Sequence, residues 1–99
     1  MGVASNDGYQ TIGTASVNLL ENRNGRRMDY TITNSSPAAQ IITISRTNAP
    51  AVANYGIRLN VGESWTEATS ENYPCTQCGI QVISSAAGGT VSYSEKTVI

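Results

Sequence analysis

Arg27-Met28-Asp29-Tyr30-Thr31-Ile32-Thr33 decides the fold class. Its side chains alternate, with Met28, Tyr30 and Ile32 on one face and Asp29, Thr31 and Thr33 on the other, the period-two signature of a strand buried on one side. The same period continues on both sides of it. Val17 and Leu19 share a face in a strand expected within Thr11 to Leu20. Gln40 to Arg46 carries Ile42 and Ile44 on one face and Ile41 on the other. Ile57-Arg58-Leu59-Asn60-Val61 alternates strictly, a further strand centres on Trp65, and Gly79 to Ser84 and Thr90 to Glu95 complete the set. No segment repeats apolar residues at helical spacing.

Turn residues punctuate these strands. Asn22-Arg23-Asn24-Gly25 predicts a tight hairpin, because Asn and Gly tolerate positive φ, and Ala86-Ala87-Gly88-Gly89 predicts another. Asn34-Ser35-Ser36-Pro37 ends a strand, since proline cannot donate to a ladder. Thr47 to Tyr55 and Ser70 to Gln77 read as the two long loops. About seven short strands with turn signals about every 8–12 residues predict an all-β fold, a small antiparallel β-sandwich or partly open barrel. Residues 1–9, small and polar with an Asp7-Gly8 turn signal, read as a flexible N-terminal arm before a single domain over residues 10–99.

At 99 residues the chain is long enough for one core and too short for two. Only 13% of residues are charged and the formal net charge is −1, so no overall field draws it to nucleic acid or to an anionic membrane. No stretch approaches the roughly 20 apolar residues of a membrane-spanning helix. The N-terminus lacks the charged head and apolar run of a secretory signal, and Asn6 stands where a myristoylation motif wants Ser or Thr. These features predict a protein made in the cytoplasm. Histidine is absent, which removes the usual proton shuttle, the commonest metal ligand and the base of most Ser or Cys nucleophile systems. The expectation is a binding protein rather than an enzyme, without cofactor or metal.

Three constellations remain. Cys75-Thr76-Gln77-Cys78 offers two zinc ligands of the four required and no helix to activate a redox thiolate. Two reduced cysteines or a short loop disulfide fit better, and the redox compartment decides between them. Arg23, Arg26 and Arg27 gather half of the basic residues around one turn. They are candidates for contact with an acidic partner or a phosphate backbone, though so few other basic residues and no interleaved aromatics fit nucleic acid poorly. Otherwise they form a solvated turn that discourages edge-to-edge aggregation. Glu63, Trp65 and Glu67 share a face by strand spacing, where an exposed Trp could stack on a sugar. Two carboxylates so close on one strand enclose no glycosidase cleft. Tyr55 and Tyr73, in the long loops, are candidate interface residues. Tyr30 and Tyr93 fit core positions.

Three blocks carry a family resemblance: Asn24-Gly25-Arg26-Arg27-Met28-Asp29-Tyr30-Thr31-Ile32-Thr33-Asn34-Ser35-Ser36, Gly56-Ile57-Arg58-Leu59-Asn60-Val61-Gly62-Glu63-Ser64-Trp65-Thr66, and Ile80-Gln81-Val82-Ile83-Ser84-Ser85-Ala86-Ala87-Gly88-Gly89-Thr90-Val91. Together they resemble small β-sandwich structural proteins of tailed bacteriophages, across roughly residues 20 to 95. The resemblance implies a virion component, a capsid decoration or cement protein on the outer capsid surface that binds the major capsid protein or another virion protein, or self-associates. A carbohydrate-binding module displayed on the virion and a tail or fibre adaptor are the alternatives. The Cys75 to Cys78 segment departs from the pattern of that family.

Overall fold

The computed structural model describes residues 2–70 and 74–99 and is all-β, with eight strands and no helix among the described residues. They are β1 (Val3–Ile12), β2 (Val17–Leu20), β3 (Arg27–Asn34), β4 (Ile42–Ser45), β5 (Ile57–Leu59), β6 (Ser64–Ala68), β7 (Ile80–Ser84) and β8 (Gly89–Val98). They form two four-stranded antiparallel sheets, in the orders β1-β8-β3-β6 and β2-β7-β4-β5. Strand pairs β1·β8, β2·β7, β3·β6 and β4·β5 are those of one long ribbon folded back at the β4–β5 connection. Rolling that ribbon adds the pairs β3·β8 and β4·β7. The result is the jelly roll, a sandwich of two sheets.

Among the described strands only β4 and β5 are neighbours in both sequence and sheet. Every other connection crosses between sheets, which corrects both expected hairpins. Asn24 (φ 53°) and Gly25 (φ 90°) do adopt the left-handed turn, and Arg26 N–H donates to the Arg23 carbonyl at 3.1 Å. That turn nevertheless delivers the chain from β2 in one sheet to β3 in the other. The Ala86 to Gly89 connection does the same between β7 and β8. Turn chemistry fixes the local reversal, whereas burial of the apolar faces fixes which strands pair.

The expected N-terminal arm is instead a strand. All ten residues of β1 pair with β8 in one unbroken register, from Val3 opposite Val98 to Ile12 opposite Gly89. A ladder needs backbone groups rather than apolar side chains, so small polar residues serve. Gly8 is a close-approach position and not a turn: a Cβ there would lie 2.7 Å from the Tyr93 hydroxyl.

With no phenylalanine in the chain, Ile12, Ile32, Ile42, Ile44 and Ile80 fill most of the space between the sheets, joined by Leu20, Tyr30 and Val82. Two bulges adjust the alternation. One, between Asn18 and Leu20, brings Leu20 into the core beside the half-buried Val17 and Leu19. The other lies between Arg27 and Asp29. It turns Met28 outward, 37% exposed, and Arg27 inward, 1% exposed, the reverse of the simple alternation.

Candidate functional site

The Arg27 bulge sets up the first of two polar networks at the loop-bearing side of the sandwich. Glu95 falls in phase with the core residue Val91 on β8 and is fully buried. Its carboxylate accepts from Arg27 Nε at 2.7 Å, from Arg23 Nε at 3.1 Å and Nη2 at 2.8 Å, and from Asn6 Nδ2 at 3.2 Å. Burial pushes the Glu95 carboxyl up, but the bonds from Arg23, Arg27 and Asn6 outweigh it and hold the group at about 2. The remaining Arg27 donors reach the carbonyls of Thr76 (2.7 Å), Cys78 (2.9 Å) and Glu21 (2.5 Å). Gln77 completes the clamp with its side-chain amide. It accepts from Arg27 N–H at 2.7 Å and donates to Arg27 C=O at 2.8 Å, standing in for a strand neighbour where the bulge interrupts pairing.

The second network centres on Glu67 of β6, which faces inward with Trp65. The Glu67 carboxylate accepts from Tyr30 OH, from Trp65 Nε1 at 3.0 Å, from the Thr76 N–H at 3.2 Å and hydroxyl at 2.8 Å, and from Arg46 Nη1 at 3.0 Å. Burial raises this carboxyl too, and the bonds from Tyr30, Trp65, Thr76 and Arg46 overcome it, leaving it at about 2. Both carboxylates are therefore ionised and saturated with donors, a structural role rather than that of a proton donor or base. The Arg46 guanidinium lies 5.3 Å over the Trp65 ring.

Arg46 also borders a cleft of about 530 Å³ between the open flank of β4–β5 and the Cys75–Cys78 segment, with Thr47, Tyr55, Gly56 and Thr76 around it. Gly56 makes this rim. At φ 127° it passes so close to β4 that a Cβ would meet the Ile44 carbonyl oxygen at 2.7 Å. Tyr55, next to it, is left 76% exposed.

Of the expected contact residues, the structure brings Arg23 and Tyr55 against the same short segment. Arg23 N–H donates to Gln77 C=O at 3.0 Å, and Tyr55 shares the cleft with Thr76. Arg26 is exposed and hydrogen-bonds through Nε to Arg23 C=O at 3.3 Å. Arg27 is a correction: an arginine with its guanidinium inside the fold is a frame for the loop, not a surface contact. Tyr73 lies outside the described residues. The Glu63-Trp65-Glu67 face is corrected as well. Glu63 belongs to the turn before β6, where its carboxylate accepts from Asn60 N–H at 2.6 Å, and the Trp65 ring is half-buried with its N–H bonded inside.

Cys75 and Cys78 are separate thiols. Cys75 is buried beneath Glu67, and burial, then the Glu67 charge, push its thiol up to about 11. A thiol reagent on the native protein is therefore expected to modify Cys78 and to reach Cys75 only on unfolding, as read by mass spectrometry. Equal labelling of both, or of neither, would contradict this arrangement. Among the described residues no group of three or more His, Cys, Asp or Glu is placed to hold a metal ion.

Sequence reading missed Arg46, Glu67 and Thr76 as partners. The usable signal was phase. Glu95 stands in register with Val91, and Glu67 with Trp65, and a carboxylate at an inward position demands a donor. Nothing local marked Arg46 or Arg27 as that donor. The outer face of the β1-β8-β3-β6 sheet, by contrast, is covered with paired hydroxyls. Thr31 meets Thr66 at 3.0 Å, Thr33 meets Ser64 at 2.6 Å, and Ser92 meets Ser35 at 3.0 Å. Compared with known proteins, the chain matches no protein-family model and no curated protein.

Proposed function

We propose that this protein is a structural component of a bacteriophage virion, a decoration or cement protein that binds the major capsid protein on the outer shell and stabilises it without catalysis. The observation that carries the reading is the pinned loop end. Two ion-pair networks anchor the Cys75–Cys78 segment from beneath through Arg27 and Glu67, while Arg26 and Tyr55 project from its borders into solvent. A preorganised contact loses little freedom on binding, and an arginine with a tyrosine suits the polar, aromatic make-up of protein interfaces. The jelly roll is used by capsid proteins and by lectins, so the fold agrees with the reading without choosing it. Many copies on one shell would add weak contacts through avidity.

Assembled capsids with and without the protein test this. Decorated shells should retain packaged DNA to higher temperature, and Arg26→Ala/Tyr55→Ala should abolish the gain while leaving the free domain folded. Equal heat resistance of bare and decorated shells would overturn the proposal. A second reading, glycan binding, is favoured by one feature, the exposed Tyr55 ring at the rim of a polar cleft. In that case Tyr55→Ala removes glycan-array binding and shell stability is unaffected.

A further inference from the structure

The four sheet edges are unequal. β5 has three residues, β2 has four with a bulge, and β6 has five. β1 has ten, in regular register with β8 throughout. Every second residue of an antiparallel edge strand turns its N–H and C=O away from its neighbour, and among the described residues nothing pairs with those groups on the outer side of β1. Exposed edges of this length are ordinarily guarded by proline, lysine or a bulge. β1, Val-Ala-Ser-Asn-Asp-Gly-Tyr-Gln-Thr-Ile, has none of these. It presents instead Tyr9, 77% exposed.

We propose that the β1 edge pairs with the β1 edge of a second copy of this chain, antiparallel about a two-fold axis at Gly8, to give one continuous eight-stranded sheet. The side-chain pattern selects both occupant and register. Ile12 is buried between the sheets, so Gly8, Gln10 and Asn6 share its face, and Ser5, Asp7, Tyr9 and Thr11 take the outer one. A two-fold normal to the sheet keeps outer faces together, so opposed residues must come from the same set. An axis at Asp7 would oppose two carboxylates. Moving the axis to Asn6 or Tyr9 shortens the overlap.

The axis at Gly8 opposes Asp7 of one copy to Tyr9 of the other, Asn6 to Gln10 and Ser5 to Thr11. Those are carboxylate with phenol, amide with amide and hydroxyl with hydroxyl, each pair occurring twice. The Asp7 carboxylate, which already accepts from Ser94 Oγ at 2.7 Å, thus gains a phenol donor, and the exposed Tyr9 ring is covered. This proposal does not depend on the shell reading.

Analytical ultracentrifugation of the full chain tests it. Wild type should sediment at twice the 10.5 kDa chain mass at tens of micromolar. Ser5→Asp/Thr11→Asp sets like charges opposite at two places and should raise the dissociation constant by about tenfold or more, with an unchanged circular-dichroism spectrum. Ser5→Asp/Thr11→Lys pairs opposite charges in the same register, sets no second lysine opposite Lys96 of β8, and should restore the dimer. A wild-type monomer at millimolar concentration would overturn the proposal, as would a dimer indifferent to both double substitutions. So would a Ser5→Asp/Thr11→Lys variant as dissociated as Ser5→Asp/Thr11→Asp.

Discussion

Arg27→Ala is expected to destabilise the domain by about 3–5 kcal/mol, the cost of leaving a buried charge without its main partner. That is a large share of the roughly 5–15 kcal/mol that holds a small domain folded. The substitution removes the 2.7 Å bond to Glu95 and strands the carbonyls of Thr76, Cys78 and Glu21. Arg23 still reaches Glu95, so collapse is incomplete at low temperature. Paired replacement, Arg27→Met/Glu95→Leu, should cost much less, since no ion is then left in the core. Urea titration measures both. A loss below about 1 kcal/mol for Arg27→Ala would mean that the ion pair behaves as if it were in water.

Acid should act through the two saturated carboxylates. Glu67 and Glu95 each sit at about 2 in the folded protein, below an ordinary value of 4.5. On acidification the unfolded chain therefore takes up these protons first. Stability is fully present above about pH 5 and falls away between 4.5 and about 2. Each group contributes about 3 kcal/mol at neutral pH at most, and together they predict unfolding within that window. Glu67→Gln should remove about half of the acid sensitivity at the cost of a lower starting stability. Unfolding free energies measured from pH 7 to 2.5 check this. A flat profile through pH 3 would show that neither carboxylate is coupled to folding.

The strands after β1 were legible from alternation because they set apolar residues on an inward face, and Tyr30, Ile32, Ile42 and Ile44 lie where the period put them. Which strands pair was not legible. Asn24-Gly25 states that the chain reverses, and it does, but the choice of sheet depends on the whole set of apolar faces at once. β1 was missed because its residues are small and polar, and its order comes from β8, far away in sequence. At the site, Tyr55 and the cysteine segment stood out by composition. The inward turn of Arg27 did not, since one extra residue at Met28 reverses every expectation on that side of it. A charge at a core phase, as at Glu95 and Glu67, was the readable clue to both networks.

The roll also dictates an order of events during synthesis. β1 is made before β8, and among the described strands β8 is its hydrogen-bonding partner. β1 therefore waits, its backbone hydrogen-bonded to water, until Gly89–Val98 has been made. With one exception no strand can zip onto its predecessor, so folding waits on distant encounters and is expected to be slow for the chain's size. Through that interval β1, small and polar along most of its length, offers little apolar surface to other chains.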